Sequence, residues 1–216
     1  MNGLIRDLEA MNAKERYWLL HAALGPTPLA APFLEALCDE AGVNPPPTDA
    51  WWAMDFHLDW LACALLGGAQ IGEPQSLLFP GWKLGTQEDV DLIVAWDVGE
   101  ITHLLLVEAK GVTSHSNKQV TSKATKLGTL FGQDGTAQAG VVPHLVLASP
   151  TEPLRLRTEG FPDWCLRADH TIRWVELTVP NTLIQPVRCD ESGKVTKLGS
   201  HWKYQRRTGS ASADRN

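Results

Sequence analysis

Residues 90–110, VDLIVAWDVGEITHLLLVEAK, set two apolar runs on either side of four turn-forming residues. "VDLIVAW" and "ITHLLLVEAK" read as strands and "DVGE" as the turn between them, so a buried hairpin is expected near the middle of the chain. Charge interrupts the second run. Glu108 and Lys110 stand two residues apart, and strand alternation sends both to one face. Burying charge is costly unless it is paired or holds a metal. Either the two ions satisfy each other or they form a site.

Around this hairpin the pattern is mixed. Asn12 is expected to cap a helix through "AKERYWLLHAALG", and "PFLEALCDEAG" reads as a second helix before Pro45-Pro46-Pro47. Thr48 or Asp49 would then cap a third, "AWWAMDFHLDWLACALLGG", with Met54, Leu58, Leu61 and Leu65 as its apolar stripe. "SLLF" reads as a strand ahead of the hairpin. Beyond Gly111, Val120, Ala124, Leu127 and Phe131 recur at helical spacing, and "HLVLAS" is another buried strand. The expected order is therefore helix, strand, strand, strand, helix, strand. Residues 151–207 read as a β extension packed on this core, with "IRWVELTVP" as a strand and "PVRCDESGKVTKL" as a hairpin turning at Ser192-Gly193. The tail 208–216 has too little apolar content to order itself.

A chain of 216 residues suits one domain with an extension. The division expected is a helical segment over 1–49, a core over 50–150, the extension and the tail. The N-terminus lacks the basic start and apolar run of a secretory signal, and no window is apolar enough to span a membrane. Cys38, Cys63, Cys165 and Cys189 are scattered without a CxxC pair, which argues against a zinc site or disulfide framework. A reduced, cytoplasmic protein without membrane attachment is expected. Net charge is −6. Its distribution is uneven: residues 1–108 carry 4 Lys/Arg and 16 Asp/Glu, whereas residues 109–216 carry 15 and 9. The basic half begins at Lys110, which fits an anionic partner on that side.

Asp91 shares a face with Ile93 and Ala95 on the first strand of the hairpin. If Trp96 pairs with Ile101, Asp91 lies diagonal to Glu108, with Cβ atoms roughly 7–8 Å apart. Two carboxylates so placed can share a divalent ion, with the backbone carbonyl of Ala109 as a further ligand. Cutting a phosphodiester needs oxygen ligands for Mg²⁺, a group at the attacking water and positive charge near the phosphate. Asp91 and Glu108 can supply the first and Lys110 the others.

"VDLIVAW…LLVEAKG", followed by a helix carrying Gln119 and Lys123, resembles the PD-(D/E)XK nuclease superfamily, the restriction-endonuclease-like fold. Over roughly residues 50–150 the resemblance implies an α/β core of αβββαβ order, a mixed sheet flanked by helices, and metal-dependent cleavage of nucleic acid. Asp91 takes the place of the family's first acid, Glu108 and Lys110 that of its Glu-x-Lys, and Gln119 and Lys123 those of its helix residues. Val90 stands where the family has Pro, which leaves a choice between Asp89 and Asp91; Asp91 is better embedded in the strand. The resemblance further implies Mg²⁺ as cofactor, with Mn²⁺ able to substitute. Some members place an acid of the first core helix at the metal, and Asp59, then Asp55, are the candidates here.

The remaining candidates have two readings each. Ser116 with Gln119 makes a capping box, against a catalytic role for Gln119. Lys123 and Lys126 share the Gln119 face of the helix and suit phosphate contact, or form a solvated strip. His115, in the loop after Lys110, is placed ahead of His57 for approaching substrate. The nine Trp are assigned mostly to packing, but Trp202 in "HWKYQRR" lies among Lys203, Arg206 and Arg207, a setting for basic-aromatic contact with nucleic acid. No Walker-type loop and no Gly-x-Ser-x-Gly elbow occur. The expectation is a DNA endonuclease of defence or repair type, acting on nucleic acid, DNA ahead of RNA, with a homodimer or partner protein left open. The alternatives are an inactive nucleic-acid-binding or complex-forming module on the same fold, and a structural protein in which Glu108 and Lys110 pair internally.

Overall fold

A computed structural model describes residues 3–67, 82, 88–111, 113–180 and 183–207. Helices α1 (Gly3–Ala10), α2 (Glu15–Leu24) and α3 (Ala31–Ala41) precede strand β1 (Trp51–His57) and helix α4 (Leu58–Gly67). Strands β2 (Asp89–Val98) and β3 (Ile101–Ala109), helix α5 (Asn117–Phe131) and strands β4 (Val141–Ser149) and β5 (Trp174–Glu176) follow. Strands β6 (Leu183–Cys189) and β7 (His201–Arg207) form a separate two-stranded ribbon. The fold is mixed α/β, and its main sheet has five strands in the order β1-β2-β3-β4-β5. The first three are antiparallel neighbours, while β3-β4 and β4-β5 are parallel. No helix among the described residues is long and apolar enough to cross a membrane.

Helices cover both faces of the sheet, so β2, β3 and β4 are buried almost throughout. One face sets Ile93, Ala95, Leu104, Leu106, Leu145 and Leu147 against α1, α4 and α5. The other sets Leu92, Val94, Trp96, Leu105, Val107 and Val146 against Leu34, Leu37 and Cys38 of α3. That α3 ends at Gly42, whose φ of 73° is the left-handed conformation a helix stop favours.

The predicted helix over 50–67 is instead β1 followed by α4. Trp51, Trp52 and Phe56 are bulky aromatics that fit a pleated surface, and β2 offers a partner ladder that an isolated helical stripe does not. Asp55 marks the break: its φ is 52°, tolerable for Asp, and Ala53 and Phe56 on either side of it join the same core cluster against strict alternation. Asp55 and Asp59 are therefore not helical neighbours. The helix of the expected core falls between β1 and β2 rather than ahead of all strands.

Other differences are local. Lys14, not Asn12, precedes α2, and the Asn12 side chain accepts the Ala13 amide. The strand within "IRWVELTVP" shrinks to Trp174–Glu176. Gly193 does form a turn, its amide donating to Asp190 O, but β6 pairs at length with His201–Arg207. The predicted strand at 76–79 and the tail 208–216 lie outside the described residues.

Candidate metal and phosphate site

The hairpin turn sets the geometry. Val98 pairs with Ile101 across Gly99 and Glu100, so the connection is two residues rather than four. Gly99 has φ 63°, as the first central position of a tight hairpin turn requires. Trp96 accordingly faces His103, and the last ladder pair is Leu92 with Val107. One step further, the same register sets Asp91 level with Glu108. A shift of two residues keeps both acids on their expected face, and level partners stand closer than diagonal ones, with Cβ atoms about 4.5–5.5 Å apart. They end the apolar row that faces α5.

Asp91 Oδ2 accepts the Ala109 amide at 2.6 Å. Glu108, only 7% exposed, gives Oε1 to the Lys110 ammonium at 2.8 Å and Oε2 to that of Lys123. Lys110 also donates to the Ala109 carbonyl at 3.2 Å, and Lys123 to the Asp89 carbonyl. Two carboxylates and two ammoniums thus close a charge-balanced cluster. Asp89, the alternative acid, turns to Lys14 instead.

Environment separates the two acids. Burial raises the Asp91 carboxyl above its ordinary range, and the charge of Glu108 adds to this against the Ala109 amide and the lysines. Burial works the same way on Glu108, but Lys123 and Lys110 outweigh it and hold that carboxyl below its ordinary range. For Lys110, burial alone would depress the ammonium; the bond to Glu108 and the charges of Glu108, Asp91 and Asp89 keep it above its ordinary value. It stays a cation at neutral pH.

Lys123 sits inside the apolar stripe of α5, not beside it, and is 7% exposed. Lys123 therefore does not belong to a solvated strip; its ammonium is turned onto Glu108. The signal was legible: Val120, Lys123, Ala124 and Leu127 follow one helical face, and a lysine there requires a buried partner. Gln119 lies on the exposed side; its backbone N–H donates to the Ser116 hydroxyl at 3.4 Å and that hydroxyl donates to its side-chain Oε1 at 3.2 Å, so Ser116 is the helix cap while the return bond of a full capping box is replaced by a side-chain one. Ser116→Ala should therefore cost about 1 kcal/mol, a melting point roughly 2–4 °C lower by calorimetry. Gln119→Ala, which leaves the backbone bond in place, should move it far less.

The other candidates have other partners. Asp59 Oδ1 accepts the Trp82 indole N–H at 2.9 Å. Asp55 pairs with Arg16 at 3.1 Å. Lys126 reaches Glu88 at 3.4 Å and lies over the Trp82 ring. His115 is buried at 8% exposure, and beyond the Ala148 backbone neither ring nitrogen has a hydrogen-bond partner among the described residues. Burial, reinforced by Lys110, pushes its pKa down to about 4, so it is neutral at pH 7. Lys203 donates to the Gly193 carbonyl, and Arg206 is exposed. The Arg207 side chain lies outside the described residues.

Asp91, Glu108 and the Ala109 carbonyl carry oxygens of the chemical kind that hard divalent cations take. Among the described residues no group of three His, Cys, Asp or Glu side chains stands ready for a metal, so an ion here would draw on backbone or substrate oxygens as well. It would also have to take a Glu108 oxygen from an ammonium. Compared with family models, with curated proteins and with solved structures, the chain matches none of them.

Proposed function

We propose that the chain hydrolyses phosphodiester bonds of nucleic acid, using a divalent ion held by Asp91 and Glu108 on a restriction-endonuclease-like core. One observation carries the reading: the β2-β3 ladder ends at Leu92 and Val107, leaving Asp91 and Glu108 one step beyond its last pair on one face, with Lys110 bonded to Glu108. The antiparallel β1-β2-β3 meander, followed by α5 and the parallel strand β4, supports the same core; α4 is the departure from it. Burial first, and the charge of Glu108 second, raise the Asp91 carboxyl, and a cation held between the acids would favour its ionised form. Once bound, Mg²⁺ would polarise the scissile phosphate and lower the pKa of a coordinated water. Lys110 keeps its proton, so it serves as hydrogen-bond donor and positive charge beside the phosphate and the attacking water, not as proton acceptor.

A second reading rests on the ion pairs themselves. Both Glu108 oxygens are already satisfied by lysines, and a neutral cluster of that kind can simply hold α5 on the sheet of a nucleic-acid-binding module. Cleavage of supercoiled and single-stranded DNA in Mg²⁺ or Mn²⁺, against chelator, separates the two. For the nuclease, Lys110→Met folds normally and cuts slower by about 10²-fold or more, the scale of one lost electrostatic stabiliser. Wild type and variant cutting equally would trace the activity to a contaminant, and salt-dependent binding with no cutting in either metal would favour the module.

A further inference from the structure

The ribbon of β6 and β7 carries a second feature, independent of the carboxylate cluster. Its register pairs Ile184 with Arg206, Pro186 with Tyr204 and Arg188 with Trp202. Alternation sends these six side chains to one face, and each is exposed. Trp202 is 62% and Tyr204 83% exposed, far beyond what packing explains, and Ile184 is 62% exposed beside them. The Arg188 guanidinium lies 5.2 Å from the centre of the Trp202 ring. Gln185, Gln205 and Lys203 point to the other side, where Lys203 is tied to the Gly193 carbonyl.

We propose that this face docks single-stranded nucleic acid, with bases stacked on Trp202 and Tyr204 and phosphates held by Arg188 and Arg206. Charge selects the class of partner: residues 183–207 carry six Lys/Arg and two Asp/Glu within a chain of net charge −6. A second copy of the ribbon would bring like charge against like. The aromatic rings select the strand state. A duplex hides its base faces inside the stack, whereas every unpaired base offers one to an exposed ring. Trp202 and Tyr204, two residues apart on one strand, are separated by about 6.8 Å, twice the 3.4 Å rise of a stacked strand. Bases over both rings must leave each other, which a flexible single strand allows.

The test uses the full chain in chelator with oligothymidylate, oligouridylate and a mixed-sequence duplex as probes, read by fluorescence anisotropy. Because no metal is present, loss of cleavage leaves this proposal standing, and loss of binding here leaves the metal-site reading standing. Wild type should prefer either single strand over duplex. Trp202→Ala should weaken that binding about 5- to 100-fold, the scale of one lost base stack, with Trp202→Phe close to wild type. Arg206→Gln should lower the slope of log affinity against log salt by about 0.7. Unchanged thermal melts for the variants exclude misfolding. Equal affinity of Trp202→Ala and wild type, or duplex binding as tight as single strand, would overturn the proposal. So would a dimer in sedimentation that Trp202→Ala dissociates without any effect on oligonucleotide binding.

Discussion

Glu108→Gln lowers the melting temperature of the metal-free protein by roughly 6–20 °C. The figure follows from leaving a buried ammonium without its carboxylate, about 3–5 kcal/mol, at 2–4 °C per kcal/mol for a chain of this size. Lys123 carries most of it, because its ammonium is buried against Glu108 and the Asp89 carbonyl, whereas Lys110 is nearer the surface. The double variant Glu108→Gln/Lys123→Met should regain much of the loss, since an apolar side chain suits the stripe between Val120 and Leu127. Thermal melts in chelator decide it, and a Glu108→Gln protein as stable as wild type would contradict the ion pairs. The pH dependence has a definite sign. The folded Glu108 carboxyl lies below its ordinary 4.5, so its contribution is fully present above that value and is lost as pH falls through the folded pKa. In Glu108→Gln that part of the acid limb should flatten.

Asp91→Asn is expected to do the reverse in chelator. The folded Asp91 carboxyl lies above its ordinary 3.8, so ionising it costs stability as pH rises from 3.8 through the folded pKa. An amide removes that cost and can still accept the Ala109 N–H, so the metal-free variant melts at or above the wild-type temperature at pH 7. With Mg²⁺ the order inverts. Wild type at a hundredfold excess over its dissociation constant gains about 2.7 kcal/mol, roughly 5–11 °C, and Asp91→Asn gains little. Melts with and without the ion read both halves, and Mg²⁺ stabilising wild type and variant alike would remove Asp91 from the site. Neighbouring acids on one face thus respond to neutralisation with opposite sign, because lysine bonds outweigh burial at Glu108, whereas burial and the neighbouring Glu108 charge prevail at Asp91.

The sequence by itself determined the parts governed by local pattern. The apolar runs of β2, β3 and β4 could be read from their residues, and so could the stripe of α5 with Ser116 at its start. Period-two alternation placed Asp91, Glu108 and Lys110 on one face. That placement survived a two-residue error in register, because an even shift preserves the face. Tertiary structure alone decided which groups meet. The two-residue turn at Gly99 made Asp91 level with Glu108, and the packing of α5 turned Lys123 inward onto Glu108. Similarly, the open ladder of β2 drew Trp51–His57 into a strand where the stripe of Met54, Leu58 and Leu61 suggested a helix. Each is a contact between segments far apart in the chain, whose free energy depends on what the partner surface offers and not on the segment's own spacing. The ribbon illustrates the same division: "HWKYQRR" declared its composition, but the β6 register brought Arg188 over Trp202 and turned Lys203 away.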